Sequence, residues 1–190
     1  MEAFLAGMRT KTHRQIDAFR LALGLVVAGG TAAVGAYAGD GERVTALWAV
    51  ARIGNDGHAR IVEVIDYDFG TKRRHGIFRH VPELRRDADV VVRSATAPHE
   101  VLLMGTSRNE TRIRIGDPDR KVSGRHRYTI EYPLETLTAE GRVAWDGVGT
   151  SWEVPLGDVE VHLVAPFEFD RVRCFQGEGG STQPCAVRQP

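Results

Sequence analysis

The sequence predicts an all-β protein: an antiparallel β-sandwich of two immunoglobulin-like sheets, preceded by an N-terminal hydrophobic signal or anchor helix. Two observations predict this architecture. After residue 40, short runs of alternating apolar and polar residues are separated by turn-forming residues, and no long stretch has the period of a helix. Eight or nine strands at this spacing are typical of two packed sheets. Before residue 40, basic residues precede a long uncharged run.

Length and composition limit the class of protein. A chain of 190 residues is long enough for one domain with a hydrophobic core. With 42% apolar and 26% charged residues, it fits neither a wholly disordered chain nor a polytopic membrane protein. The 25 basic residues are balanced by 25 acidic ones, whereas a nucleic-acid-binding surface needs an excess of positive charge. We therefore expect no nucleic-acid partner.

The N-terminal segment predicts the compartment. Basic residues lie within the first 20 positions and the uncharged run 21–38 follows, as in the n-region and h-region of an export signal. Ala36-Tyr37-Ala38 supplies the small residues that signal peptidase requires. The alternative is a retained anchor, since about 18 apolar residues is the lower limit for spanning a bilayer. Either way, residues 1–38 are a signal peptide or membrane anchor, and residues 40–190 form an extracytoplasmic domain that is membrane-tethered or secreted.

The two cysteines point to the same compartment. Cys174 and Cys185 flank a segment with three glycines and a proline, which lets the chain turn back and bring the sulfurs together. We expect a disulfide bond, and disulfides persist in oxidising compartments such as the bacterial cell envelope. Two free thiols in a cytosolic loop are the alternative. A zinc site is disfavoured, because two cysteines without a CxxC pair or nearby histidines supply too few ligands.

Turn chemistry predicts the first strands. Residues 44–53 and 59–69 flank Gly54-Asn55-Asp56-Gly57, whose residues tolerate the positive φ angles of a hairpin turn. Residues 89–96 and 100–106 are predicted as two further strands, joined across Ala97-Pro98-His99.

Alternation predicts the later strands. Residues 109–116 alternate apolar residues with two arginines, as expected of a strand with one solvated face. The remaining strands are predicted at 128–132, 142–148, 151–156 and 159–164. Residues 70–88 alternate poorly and are predicted as a long loop, partly packed against the sheets.

Four segments of the chain, in order, resemble a known family. They are the strand 61–69 with its embedded Glu63, the Gly-Ile-Phe-Arg-His-Val-Pro run within 75–82, the strand 128–132, and the Trp145 and Trp152 segments before the paired cysteines. Together they resemble the YciQ-like predicted bacterial membrane proteins, over roughly residues 42–188. The resemblance implies an extracytoplasmic β domain of unknown function on a membrane-tethered protein. Members usually continue into another transmembrane helix after the second cysteine, whereas this sequence ends at Pro190. The resemblance therefore leaves open whether the protein is secreted, anchored by its N-terminal segment or a fragment of a longer chain.

One buried ion pair is predicted. If the strand 61–69 alternates regularly, Glu63 lies on the core face, where a carboxylate needs a partner to offset its desolvation. We propose Arg79 as that partner, which would attach the Gly-Ile-Phe-Arg segment to the sheet. The alternative is a glutamate at the sheet edge that reaches water.

The loop 70–88 contains the candidate partner-binding residues. Six basic residues between 72 and 86 face a single acid. Clustered guanidinium groups bind phosphate well, so the candidate partner is the membrane surface or another envelope protein, with the ligand unknown. A solvated charged face is the alternative. The residues selected are Arg73, Arg74, His75, Phe78 and His80. The two histidines lack a third ligand nearby, so no metal is expected.

No catalytic motif emerges from the sequence. None of the serines lies in a Gly-x-Ser-x-Gly elbow, and neither a cofactor nor a catalytic residue is predicted. We expect a non-enzymatic interaction module of the envelope. The alternative is an envelope carbohydrate-binding or carbohydrate-active sandwich domain that uses Trp48, Trp145 or Trp152 as sugar platforms. Buried tryptophans favour the first, and two exposed in one groove favour the second.

Overall fold

The described part of the chain consists of β-strands and connecting turns. The structure, a computed structural model, describes residues 4–8, 24–31, 41–106, 110–135, 137–139, 141–149, 151–177 and 180–189. Within these ranges the strands are β1 (Phe4–Met8), β2 (Gly24–Thr31), β3 (Arg43–Ile53), β4 (Ala59–Asp68), β5 (Gly76–Pro82), β6 (Val91–Arg93), β7 (Val101–Gly105), β8 (Glu110–Gly116), β9 (Arg125–Leu134), β10 (Thr138–Ala139), β11 (Arg142–Trp145), β12 (Leu156–Ala165), β13 (Phe169–Arg173), β14 (Phe175–Gln176), β15 (Gln183–Pro184) and β16 (Ala186–Arg188). The prediction of an all-β protein is confirmed.

A seven-stranded sheet, which we call the large sheet, is the centre of the fold. Its strand order is β16-β2-β12-β3-β4-β9-β6. The predicted hairpin of β3 and β4 is present, with Ile53 paired to Ala59, and the N–H of Gly54 donates to the carbonyl of His58 at 2.8 Å. Gly57 has a φ of 81°, which favours glycine. The sheet is not wholly antiparallel, because β12 runs parallel to β3.

The small sheet has the order β5-β8-β7 and is antiparallel. Its strand β5 lies within residues 70–88, so the prediction of a loop throughout that range was wrong. The cause is Arg79, which occupies a buried position between Ile77 and Val81. A charged residue at the central inward position hides the period of two on which strand prediction depends.

Side chains from both sheets join one hydrophobic core. Ile61 and Ile65 of β4 and Ile130 of β9 are fully buried, and so are Ile113 and Ile115 of β8. The alternation of buried and more exposed residues in β8 follows the prediction for that strand. The core therefore lies between the inward faces of the large and small sheets.

The two strands predicted within residues 89–106 are present as β6 and β7, and they belong to different sheets. Val92 of β6 pairs with Ile130 of β9 in the large sheet, whereas Leu103 of β7 pairs with Ile113 of β8 in the small sheet. The connection therefore passes from one sheet to the other. Farther along, the strand expected at 151–156 begins only at Leu156 and continues as β12.

The N-terminal strands enter sheets formed by the rest of the chain. Strand β1 lies between β11 and β13 in a four-stranded sheet, and β2 lies between β12 and β16. Residues 24–31 are thus extended where the sequence predicts a signal or anchor helix, and glycines and β-branched valines in this segment disfavour a helix. In the described residues no helix is long and apolar enough to cross a bilayer.

The rest of the N-terminal prediction concerns residues that the structure does not describe. The remainder of segment 1–38, with the Ala36-Tyr37-Ala38 cleavage site, lies outside the described residues. The division into a 1–38 segment and a 40–190 domain stays a prediction.

A disulfide bond joins Cys174 to Cys185, as the sequence predicts. The two Cα atoms are 5.2 Å apart, and the N–H of Cys185 donates to the carbonyl of Cys174 at 3.1 Å. The short strands β14 and β15 pair inside the closed loop. Cys174 itself is buried against the main core, so the loop is fastened to the domain.

Removing the disulfide should destabilise the domain. We expect the double substitution Cys174→Ser/Cys185→Ser to lower the free energy of unfolding by about 3 kcal/mol, because closing so short a loop restricts the unfolded chain. Urea unfolding of both proteins measures the difference. Dithiothreitol should lower the midpoint of the parent and leave that of the variant unchanged. Equal midpoints of parent and variant under oxidising conditions would contradict the prediction.

Candidate functional site

Glu63 and Arg79 meet in the interior between the two sheets. Glu63 lies on the inward face of β4, and Arg79 lies on the inward face of β5. Arg79 Nε donates to Glu63 Oε2 and Arg79 Nη2 donates to Glu63 Oε1, both at 2.8 Å. The Glu63 side chain is 0% exposed and the Arg79 side chain is 2% exposed. The structure thus brings together the two residues that the sequence pairs, in the bidentate geometry in which guanidinium binds carboxylate most strongly.

Neighbouring groups complete the hydrogen bonding of the pair. The hydroxyl of Tyr132 on β9 donates to Glu63 Oε1 at 2.6 Å, and Arg79 Nη1 donates to the carbonyl of His80. Trp152 places its ring 5.5 Å from Arg79 Cζ and donates from Nε1 to the carbonyl of Val148 at 2.7 Å. The result is a buried cluster in which both charges have several partners, as a low-dielectric site requires.

A glycine makes room for the guanidinium group. A Cβ atom added at Gly149 would lie 2.8 Å from Arg79 Nη1, and the φ angle of this residue is 77°. Both the space and the backbone conformation therefore favour glycine at this position.

The electrostatics of the cluster keep Arg79 charged. Burial alone lowers the pKa of Arg79, but the charge of Glu63 and its hydrogen bonds outweigh burial, so the pKa is raised. Burial and the nearby Glu63 carboxylate raise the pKa of Tyr132, which stays a neutral donor. Tyr132 and Trp152 were not assigned to this cluster from the sequence. The signal for Tyr132 was available, since a tyrosine on a core face needs a partner for its hydroxyl group.

The turn that leads from β4 into β5 is held by Asp68. Its Oδ1 accepts a hydrogen bond of 2.9 Å from the N–H of Gly70, and its Oδ2 lies 3.2 Å from Arg125 Nε. Gly70 has a φ of 58°. The Gly70 N–H and, after it, Arg125 hold the pKa of Asp68 below its usual value. This carboxylate therefore helps to place β5 over the large sheet.

The predicted partner-binding residues separate into two groups. Arg74 is occupied, because its Nε and Nη2 donate to the two carboxylate oxygens of Glu42 at 2.6 and 2.9 Å. That contact lowers the pKa of Glu42. His75 places Nδ1 3.2 Å from the carbonyl oxygen of Asp117. Arg73 is exposed beside them. These three candidates precede β5, whereas Phe78 and His80 lie on it.

His80, Glu110 and Ser151 form a polar group without catalytic geometry. His80 Nδ1 lies 3.1 Å from Glu110 Oε1, and the Ser151 hydroxyl donates to Glu110 Oε2 at 3.3 Å. The carboxylate therefore lies between the imidazole and the hydroxyl group. A serine nucleophile needs the imidazole in that middle position, as its general base. In the part of the chain that the structure describes, no group of three or more acidic, histidine or cysteine side chains forms a potential metal site.

Phe78 and His80 belong to the solvent-facing side of the small sheet. In β5, β8 and β7 the residues between the inward positions point away from the core. We call this surface the outer face, and its residues are Phe78, His80, Arg112, Arg114, Leu102 and Met104. The strand registers arrange them in two rows across the sheet, Phe78-Arg114-Leu102 and His80-Arg112-Met104.

The outer face combines exposed apolar and cationic groups. Phe78 is 49% exposed and Leu102 44% exposed. Arg112 Cζ lies 4.9 Å from the centre of the Phe78 ring. A cleft of about 330 Å³ opens at one end of the outer face, beside Phe78 and Arg114. Leu102 and the arginines were not selected from the sequence, because only strand pairing shows that they flank Phe78.

The three tryptophans are buried or half-buried. Trp145 is buried in the core, and Trp152 packs against Arg79. Trp48 is partly buried, and its ring centre lies 5.3 Å from that of His162.

Breaking the buried ion pair should be costly. We expect Arg79→Met or Glu63→Gln to lower the free energy of unfolding by about 3 to 5 kcal/mol, because each leaves a buried group without its partner. The double variant should lose less free energy of unfolding than the two single variants lose together. Urea unfolding of the four proteins measures the coupling energy.

A surface ion pair between β4 and β9 of the large sheet is the matched control. Arg60 Nε lies 2.7 Å from Glu131 Oε1, with the Arg60 side chain 44% exposed. Removing it with Arg60→Met should cost at most about 1 kcal/mol. Similar losses for Arg60→Met and Arg79→Met would show that burial gives the inner pair no special weight.

The Asp68 carboxylate should give the domain an acid-sensitive stability. Because its pKa is lower in the folded protein than in the unfolded chain, its contribution is full above the unfolded value of about 3.9 and is lost as pH falls through the folded value. Asp68→Asn keeps an acceptor for Gly70 and removes the charge. The stability gap between parent and variant, measured by urea unfolding, should be largest at neutral pH and should shrink below pH 4. A gap that stays constant down to pH 2 would contradict this.

Comparison with solved structures finds a low similarity to M1 zinc metallopeptidases. A mutant of a two-domain enzyme bound to L-arginine and a mutant of the Deinococcus radiodurans enzyme are each 13% identical to this chain, with a TM-score of 0.31 and coverage of 53% of this chain and 22% of theirs. Another structure of the Deinococcus radiodurans enzyme is 12% identical, with 75% and 26% covered and a TM-score of 0.31. The chain thus spans about a quarter or less of the length of these enzymes.

The family comparison is informative. Among curated proteins, none matches the chain. Residues 43–188, by contrast, match a family of unknown function over most of the chain. The matched region begins at the first residue of β3 and ends at the last residue of β16, so it contains the buried cluster, the outer face and the disulfide. The chain belongs to the family described as predicted membrane protein (DUF2207) N-terminal domain.

Proposed function

We propose that this domain is a non-enzymatic interaction module that works outside the cytoplasm at a membrane or envelope surface. One observation carries the proposal: the charged pair at the centre of the domain is sealed from solvent, while the outer face exposes both apolar and cationic groups. A sealed ion pair constrains how the sheets are placed but cannot contact a substrate. An exposed amphipathic surface is typical of a binding site.

Two further observations support the location. The Cys174–Cys185 disulfide fits an oxidising compartment. The family description is that of a membrane protein. We infer a protein that is either membrane-tethered or secreted, and whose partner is the membrane surface or another envelope protein. The shared core of the large and small sheets supports a two-sheet sandwich as the framework of this module.

Other observations support a binding role over catalysis or sugar binding. In the group of His80, Glu110 and Ser151 the imidazole does not contact the hydroxyl group that it would have to activate. The carbohydrate alternative needs two exposed tryptophans in one groove, whereas Trp145 is buried and Trp152 packs on Arg79.

Expression of the full chain in a bacterium, with a photo-crosslinking amino acid at position 78, tests the proposal. We expect the cysteines to resist alkylation until reduced, since the disulfide forms outside the cytoplasm. We expect position 78 to form an adduct with a component of the envelope fraction. The control is the same amino acid at position 52, an exposed residue of β3 in the large sheet. Free thiols in the cytosol, or equal adducts from both positions, would refute the proposal.

A further inference from the structure

Two exposed apolar side chains lie on the outer face of the small sheet. Among the residues that the structure describes, the large hydrophobic side chains that are exposed are Phe78, Val101 and Leu102, all on the edge strands β5 and β7. Val101 pairs with the inward-facing Ile115, so it lies on the opposite face from the other two. Phe78 and Leu102 flank Arg114 in the same row of the outer face. Such clustering distinguishes this surface from the scattered apolar residues that any protein exposes.

The arginines of this surface lack carboxylate partners. Within the described ranges, Arg114 has no hydrogen bond or ion pair, although most arginines of the large sheet are paired with acids. Arg112 contacts the sulfur of Met104 at 3.9 Å and the ring of Phe78, and its Nε is buried without a partner. Glu110, two residues before Arg112 on β8, is already bound by His80 and Ser151. Both half-buried guanidinium groups therefore lack an acid partner that would compete with an anionic ligand.

We propose that the outer face docks on a bilayer of anionic phospholipid. Phe78 and Leu102 enter the boundary between headgroups and acyl chains, and Arg112 and Arg114 bind lipid phosphates. A bilayer surface accepts both kinds of group together, because apolar side chains bury area in it while guanidinium groups stay at the phosphate level. This inference rests on the proposed function and names the partner of the module.

The spacing of the sheet favours a planar partner over an extended peptide. Strand β7 is an uncharged edge strand to which a peptide strand could pair. Such a strand would cover Leu102 but not Phe78, which lies two strands away, at about 10 Å. A bilayer reaches both edges of the outer face at once.

Flotation with lipid vesicles tests the proposal. The full chain is mixed with vesicles of equal parts phosphatidylglycerol and phosphatidylethanolamine, or with phosphatidylcholine alone. We expect stronger partitioning to the anionic vesicles, weakened by salt. Arg112→Gln/Arg114→Gln should lower this partitioning by roughly fivefold for each arginine. Phe78→Ser/Leu102→Ser should lower binding to both kinds of vesicle.

The matched control is Arg52→Gln/Arg142→Gln, which removes the same charge from exposed positions of β3 and β11. It should bind like the parent. All variants retain the N-terminal hydrophobic segment, so differences between them do not come from it. Equal losses in the control and outer-face variants, or no preference of the parent for anionic vesicles, would overturn the proposal.

A second measurement reports directly on contact between position 78 and the lipid. In Phe78→Trp, the new indole group should be quenched by brominated phosphatidylglycerol, and in Arg52→Trp it should not. Equal quenching overturns the proposal. If the protein does not bind vesicles but position 78 crosslinks to an envelope protein in cells, lipid docking is wrong and the proposal of an interaction module stands. If export and crosslinking both fail, the proposed function is wrong whatever the vesicles show.

Discussion

A carboxylate from one sheet and a guanidinium group from the other meet where the domain is driest, and the arrangement of the small sheet depends on that contact. Glu63 can be buried only if Arg79 reaches it, and Arg79 reaches it only if β5 lies over β4 with its central residue turned inward. The pair acts less as a source of net stability than as a constraint on how the two sheets are placed, since ion pairs recover little beyond their desolvation. The Tyr132 hydroxyl and the space beside Gly149 fit only that placement.

The sequence was sufficient where local chemistry determines the structure. The turn residues between β3 and β4 require a hairpin, and the glycine-rich segment allows Cys174 to meet Cys185. A glutamate on a core face requires a cation nearby. Long-range pairing was not accessible: the sequence cannot show that β6 and β7 join different sheets, or that Arg114 lies between Phe78 and Leu102. Strand β5 was missed for a different reason, because the buried charge of Arg79 disrupts the apolar alternation that identifies strands.

The two faces of the small sheet have opposite electrostatic designs. Its inward arginine is fully paired, while its outward arginines form no ion pair with the acids of the described residues. One strand thus alternates core residues with residues of the outer face, with Arg79 between Phe78 and His80. The inner residues fix the direction of the outer ones, because a shift of one position would exchange the faces. The outer face is therefore preorganised by the core beneath it.

The parallel pairing of β3 with β12 has a consequence for how the chain matures. Val44 lies beside Leu156, so the centre of the large sheet cannot close until most of the polypeptide has been made. Until then the edge of β3 that receives β12 remains unpaired and open to wrong partners. The large sheet of such a chain therefore acquires its final order only after residues near 156 have been added. Late closure of this kind lengthens the time in which an unpaired strand edge is open to aggregation.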